Sequence, residues 1–265
     1  MAATATLTVG RTRRPGAGLL VPRLVAAAIL LGGWQALAVS GLLFRDVVPP
    51  LQTVVAGLFR VLADRGFYGD LGVTALEMTL ALLIGGGAGL VVGLALGGSP
   101  FLSNAYERWL NYLGPTPKII LFPVLIMLFG VGGGSKMAMG AVSCFFPLAI
   151  SVAAGVRAVD PVLLRVGRSF RAGPVQMLTK IYLPAMVVTL VNGFRLGFGV
   201  ALIGVLLAET KLSNQGVGFE IITAYTRFDM PRMYALLILT VLFAVVVNMG
   251  AARVAARSVG RRRGD

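Results

Sequence analysis

An all-α integral membrane protein with six transmembrane helices is the fold this sequence predicts, and three observations carry that prediction. Hydrophobic residues make up 57% of the 265-residue chain and charged residues only 13%, against about 45–50% and about 25% in soluble domains. The apolar residues gather into runs of span length, about 20 residues at 1.5 Å each across a hydrocarbon core of roughly 30 Å. The cations are distributed unevenly between the connecting segments. With six spans both termini fall on one side, which holds sixteen of the 24 Lys and Arg, against seven on the other side and Arg195 within a span. The positive-inside rule then makes the termini cytoplasmic. This distribution accounts for the formal charge of +14 without nucleic acid. The aromatic interleaving that a strand-stacking surface needs is lacking.

Taken in order, residues 1–23 form a polar cytoplasmic tail with Arg11, Arg13, Arg14 and Arg23 and no acid. The uncharged run 24–43 is the first span. A signal h-region is shorter, about 7–15 residues, so the helix is expected to stay uncleaved, with Arg13-Arg14 as a topology signal. Pro49-Pro50 interrupts the next stretch, and Leu51–Ala63 reads as a short amphipathic helix with Val54, Leu58 and Val61 on one face. The second span, 71–98, is dense in glycine: Gly85, Gly86, Gly87, Gly89, Gly93, Gly97 and Gly98. Small residues at that density let helices approach closely in lipid. Residues 99–118, with Glu107, Arg108 and Lys118, are polar enough to read as a loop. The third span, 119–131, reaches about 134 with its glycines and contains Pro123; the fourth, 137–156, contains Pro147. Spans five and six are 185–208 and 233–252, joined by the charge-balanced loop 211–232. The six-helix domain thus runs from 24 to 252, and the tail 253–265 carries Arg253, Arg257, Arg261, Arg262 and Arg263.

Between spans four and five lies 159–184, the longest interior run that cannot be a span. A helix over 162–172 places Arg165, Arg168 and Arg171 on one side and Leu163, Val166, Gly167 and Phe170 on the other. Gly173-Pro174 breaks it, and 175–181 supplies a second short helical piece before Leu183-Pro184 leads into the next span. A basic amphipathic helix can also lie on anionic lipid. The narrow apolar face and the corner at the break favour a knob for docking a protein partner. The run holds one carboxylate and no histidine, which is a poor start for an active site.

Elsewhere the sequence excludes more chemistry than it offers. There is no histidine and a single cysteine, Cys144, so imidazole acid–base catalysis, the common metal sets and an intrachain disulfide are all excluded. Gly132-Gly133-Gly134-Ser135-Lys136 has the wrong order for a Walker A loop and reads as a tight turn. The chain hydrolyses no nucleotide, so an ATP-driven role needs a partner. No residue is expected to be catalytic or to bind a metal. Glu77 and Arg195 are ionisable groups within spans, each costing about 2.5–3.5 kcal/mol at a helix centre on insertion scales. They line a substrate path or make an interhelical ion pair, or, for Glu77, sit near the outer interface. Glu209, at the outer end of its helix, is expected to make a loop or gate contact. A stand-alone secondary transporter is the alternative reading; it would show midplane acids and an internal repeat, and neither is visible.

The segment from Val159-Asp160-Pro161 to Ile181-Tyr182-Leu183-Pro184 resembles the "EAA" coupling loop of binding-protein-dependent ABC importer permeases, the nitrate/sulfonate/taurine branch in particular. Pro115-Thr116-Pro117, Phe122-Pro123, Leu128-Phe129-Gly130 and Phe146-Pro147 are similar to that branch's pattern. So are Gly155-Val156-Arg157, Gly193-Phe194-Arg195, Ala208-Glu209 and Gly216-Val217-Gly218, and together these cover about 45–250. The resemblance implies a type I importer permease fold in the bacterial inner membrane. It also implies a homodimer bound to two ABC ATPase subunits and fed by an extracytoplasmic solute-binding protein, with ATP held on the ATPase and no cofactor on this chain. ATP-driven closure of the ATPases would tilt the helices through the knob. The coupling residues it implies are Leu164, Arg165, Gly167, Arg168, Phe170, Arg171, Ala172, Gly173, Gln176, Leu183 and Pro184; Glu77, Arg195 and Glu209 are the path residues. The cargo would be a small anion such as a sulfonate, taurine or nitrate, or a small heterocycle. This chain departs from the pattern at Arg165 and Gly167, where the family has glutamate and alanine, and at Arg171, the family glycine. Glu77 stands where an arginine is common.

Overall fold

The computed structural model describes the backbone of residues 20–42 and 47–260 and side chains within 21–253. Arg11, Arg13, Arg14, Arg45, Arg261, Arg262 and Arg263, and with them most of the two tails, lie outside the described residues. The chain divides into two units, Met1–Ala56 and Gly57–Asp265. In the first, α1 (Leu20–Val39) is a largely apolar helix that carries Arg23 near its start and Gln35 near its end. The indole N–H of Trp34 donates to the Pro49 carbonyl at 3.0 Å, and the Leu51 N–H donates to Gln35 at 3.0 Å. These bonds fix the turn at Pro49-Pro50. Helix α2 (Leu51–Ala63) has the predicted bounds, with Val54 and Val61 buried.

The second unit is built on three helices: α3 (Arg65–Gly98), α6 (Gly133–Arg157) and α9 (Val187–Lys211). Asp64 caps α3, its carboxylate accepting from the Gly66 N–H at 2.9 Å. One wide π turn, Leu82–Gly86, lies within α3. Lipid offers no hydrophobic drive between helices, so close packing must hold them. Gly85, Gly89, Gly93 and Gly97, spaced by four, form the face of α3 that meets α6. A Cβ at Gly93 would lie 2.6 Å from the Ala149 carbonyl oxygen and from Val152 Cβ, and one at Gly97 would lie 2.5 Å from Val156 Cβ. The core behind this face joins Met78 and Ala81 of α3, Ala141 and Cys144 of α6, and Phe198, Ala201, Leu202 and Val205 of α9.

Residues 99–118 are not a loop. Ser99 caps and Pro100 opens α4 (Pro100–Leu113), which meets α5 (Lys118–Phe129) at a 93° bend. Helix α5 alone is too short to cross a bilayer. Among the described residues, five helices are long and apolar enough to cross (α1, α3, α6, α9 and α11, Met230–Gly260), and the bent α4–α5 pair makes a sixth if counted as one broken span. Of the stretch read as a tight turn, Gly132–Lys136, Gly132 precedes the helix and Gly133–Lys136 are instead the first turn of α6. The 211–232 segment contains α10 (Val217–Thr226). Arg232 ties that end together, bonding Asp64 at 2.9 Å and Glu220 at 2.8 Å.

Candidate functional site

The segment between α6 and α9 is a two-piece corner. Asp160 caps α7 (Pro161–Ser169), its carboxylate accepting from the Val162 N–H at 2.7 Å, and Pro161 occupies the first turn, where its missing N–H costs nothing. The helix is expected to run to Ala172 and break at Gly173-Pro174, but it ends three residues earlier, at Ser169. Arg171 adopts φ +50°. Its N–H bonds the Arg168 carbonyl at 2.9 Å, and the Ala172 N–H bonds the Gly167 carbonyl at 3.0 Å. This is the Schellman pattern, which wants glycine at the left-handed position. Arg171 therefore leaves the helical face that Arg165 and Arg168 share. Past the corner, Gln176 turns back so that its Oε1 accepts from the Gly173 N–H at 3.1 Å, opening α8 (Pro174–Met177). A wide turn, Leu178–Tyr182, and the short piece Leu183–Ala185 carry the chain into α9.

Gly167 is the buried pivot of this corner. Met177 and Ile181 lie where its Cβ would be, which is how α7 packs on the second piece without a larger side chain between them. Arg165, Arg171 and Gln176 are exposed, Leu164, Ala172 and Gly173 half-buried, and Leu183 and Pro184 half-buried at the re-entry to α9. Arg168 is exposed and edges a recess with Leu94, Gly98, Met177 and Tyr182. The apolar side of α7 is not covered: Leu163 and Val166 are nearly half exposed and Phe170 is 83% exposed. The exposed apolar residues Leu163, Val166 and Phe170, on a corner that also exposes Arg165, Arg168 and Arg171, make a surface suited to a partner protein. Sequence reasoning missed the brace beside it. Arg157, at the end of α6, makes a two-pronged salt bridge to Glu107 of α4 with both N···O distances at 2.7 Å, and Ser103 donates to the same carboxylate at 2.5 Å.

At the other ends of α6 and α9 the structure brings Glu77 and Glu209 together. Thr74, Glu77, Lys136 and Glu209 are all buried, at 4, 4, 2 and 0% exposure. Glu209 Oε1 accepts from the Thr74 hydroxyl at 2.7 Å and its Oε2 from the Gly218 N–H at 2.6 Å. Thr74 Oγ1 in turn accepts from the Val217 N–H at 2.8 Å, and Asp70 accepts from the Gly216 N–H at 2.6 Å. Gly216 is at φ +102°, and a Cβ there would strike the Glu209 carboxyl. Three consecutive N–H groups at the start of α10, those of Gly216, Val217 and Gly218, are thus tied to α3 and α9. Lys136 and Thr74 were not singled out from the sequence. The available signal was that Lys136 ends the apolar-flanked Gly132–Lys136 stretch, a lone cation between two spans: it is no loop residue but a buried one. Arg195 lies apart from this cluster, exposed midway along α9 in an open groove with Asn192 and Asn248.

Residues 85–262 match the family described as binding-protein-dependent transport system inner membrane component. The chain is 30% identical over 229 residues to the putative aliphatic sulfonates transport permease protein SsuC of Bacillus subtilis (strain 168), covering 86% of this chain and 80% of that one. It is 29% identical over 202 residues to the taurine transport system permease protein TauC of Escherichia coli (strain K12), covering 74% of each. Among solved structures it is similar to a chain of the MetNI methionine ABC transporter in inward-facing conformations. That match has a TM-score of 0.58 and 18% identity, covering 78% of this chain and 97% of that chain.

Proposed function

Because this chain belongs to the family of binding-protein-dependent transport system inner membrane components, we propose that it carries a sulfonate-type anion inward as half of a homodimeric pathway. The chain is the permease subunit of an ABC importer, a multi-pass inner-membrane protein that works with ATPase and solute-binding partners and is not itself an enzyme. In the proposed assembly two ATPase subunits bind ATP and each seats one knob, and a solute-binding protein docks on the opposite face. Both termini and the knob are cytoplasmic, as the surplus of cations on that side supports.

The observation that carries this reading is the uncovered corner at 159–184. It has a rigid pivot at Gly167, an exposed Leu163–Val166–Phe170 face and a salt bridge from Arg157 to Glu107 at its base. Such a corner receives a push from outside the membrane and passes it to α6, α9 and α4. Phe170, Arg165, Arg168, Arg171 and the Ala172–Gln176 segment contact the ATPase, and Leu164, Leu183 and Pro184 position them. Arg195, with Asn192 and Asn248, supplies donors for an anion partway along α9, while Glu77 and Glu209 border the outer part of the route. Reconstituted with its ATPase and binding protein, the permease is expected to couple ATP hydrolysis to uptake of taurine or an alkanesulfonate. Arg195→Ala is expected to lower uptake about tenfold or more, from the loss of one charge-assisted hydrogen bond of about 1.5–3 kcal/mol. Uptake of an uncharged heterocycle in preference to every sulfonate would contradict the cargo, and wild-type uptake by Arg195→Ala would take that residue out of the route.

A further inference from the structure

The cluster at the far ends of α3, α6 and α9 has a charge problem. Among the described residues, Glu209 and Lys136 are the charged groups that act on Glu77. Glu77 and Glu209 meet carboxyl to carboxyl, and Lys136 is the cation whose charge acts on both. The Lys136 ammonium donates to the Val131 and Gly132 carbonyls at 2.6 and 3.2 Å. Two carboxylates against one ammonium leave one negative charge uncompensated among helices in lipid, which is costly. Moreover, both oxygens of Glu209 already accept bonds, from Thr74 and Gly218. Glu77 Oε2 is buried with no hydrogen-bond partner. As an acceptor it is orphaned; as an O–H donor it has a carboxylate to donate to.

We propose that Glu77 and Glu209 form a proton-binding site, with one proton on Glu77 donated to Glu209 and Lys136 balancing the remaining charge. Like charges in contact in a low-dielectric site cannot both ionise, and a shared proton removes the conflict. A sodium ion is the poorer occupant, because Lys136 already supplies a positive charge that acts on both carboxyls and Glu209 already accepts from the Thr74 hydroxyl and the Gly218 N–H. With the proton in place the cluster is neutral, and it closes a clasp. Glu77 joins α3 to α9 through Glu209, while Asp70, Thr74 and Glu209 hold Gly216, Val217 and Gly218 of the loop. Loss of the proton sets Glu77 against Glu209 and loosens the loop at the end of the molecule opposite the knob.

The test is infrared difference spectroscopy on the full chain in its assembled complex, reading the carbonyl stretch of a protonated carboxylic acid as the pH is raised from neutral to alkaline. The wild type is expected to carry such a band at neutral pH and to lose it in alkali. Glu77→Gln and Glu209→Gln each leave a single carboxylate to pair with Lys136, so the band is expected to vanish in both. Lys136→Met leaves two carboxyls and no cation, so the band is expected to grow. A wild type with no band at neutral pH overturns the proposal. So does a band that survives Glu77→Gln, or one that disappears when sodium replaces choline at constant pH. If a variant fails to assemble, the wild-type spectrum and its response to sodium still decide.

Discussion

Arg171 shows how a single residue sets the shape of the knob. Its φ of +50° closes the end of α7, a conformation that costs an L-residue roughly 1–2 kcal/mol and glycine almost nothing. Arg171→Gly is therefore expected to stabilise the purified permease by about 1 kcal/mol, read as a higher melting temperature. It is also expected to weaken ATPase binding, with the loss shrinking in high salt, because a rim charge goes with it. Arg165→Glu should weaken binding further without the stabilisation. Both variants binding as wild type does would mean that the ATPase groove presents no matching acid. At the other end, Glu209→Leu strands the Thr74 hydroxyl and the Gly218 N–H, and each stranded group costs about 1–3 kcal/mol. Thermal unfolding and proteolysis within the 212–218 loop would report that loss. Asp64 adds an acid-side effect. The Gly66 N–H and then Arg232 hold its carboxyl below the usual carboxylate range. Its contribution is present above the unfolded value near 3.8 and is lost as pH falls through the lower folded one. The position of the knob was legible from its charges. Its true corner was not, because Arg171 carries no local signal for a left-handed residue; only the resemblance, with glycine there, pointed to it.

Between elements, the contact of α3 with α6 depends on which glycines face the partner. Gly93 has no room for a side chain, whereas Gly87 and Gly98 have nothing within 4 Å of an added Cβ. Gly93→Val is expected to destabilise the helix pair by about 1–3 kcal/mol or more, since rigid backbone and a β-branched neighbour must shift. Gly87→Ala should be neutral or stabilising by up to about 1 kcal/mol through helix propensity. Melting of the two purified variants side by side separates packing from propensity. The glycine density that forecast close approach was plain in the sequence, but not the face, since seven glycines surround the helix and only a partner selects among them. Residues 99–118 were misread for a related reason. Asn104, Glu107, Arg108 and Asn111 look like a loop by polarity, yet the Ser99-Pro100 start is a helix signal, and Arg157 and Ser103 satisfy Glu107.

For the whole molecule, α6 and α9 link the two sites. Each has one end in the 159–184 corner and the other in the buried cluster. Lys136 and Arg157 are separated by the length of α6, about 32 Å at 1.5 Å per residue. In the proposed mechanism a displacement of the corner would be carried by these stiff helices to the start of α10, held by Asp70, Thr74 and Glu209. Composition and charge asymmetry made the membrane fold legible, and the motif order made the family legible. The buried cluster was hidden because its members lie far apart in the chain, Thr74 and Glu209 being separated by 135 positions. The proposed transmission of an ATPase stroke through the corner is tested by purifying tagged protein from native membranes in detergent and comparing the wild type with a deletion of residues 164–179. The wild type is expected to bring down a P-loop ATPase and the deletion to lose it while retaining the membrane fold. A wild-type chain that brings down no ATPase, or a deletion that still does, would contradict the account.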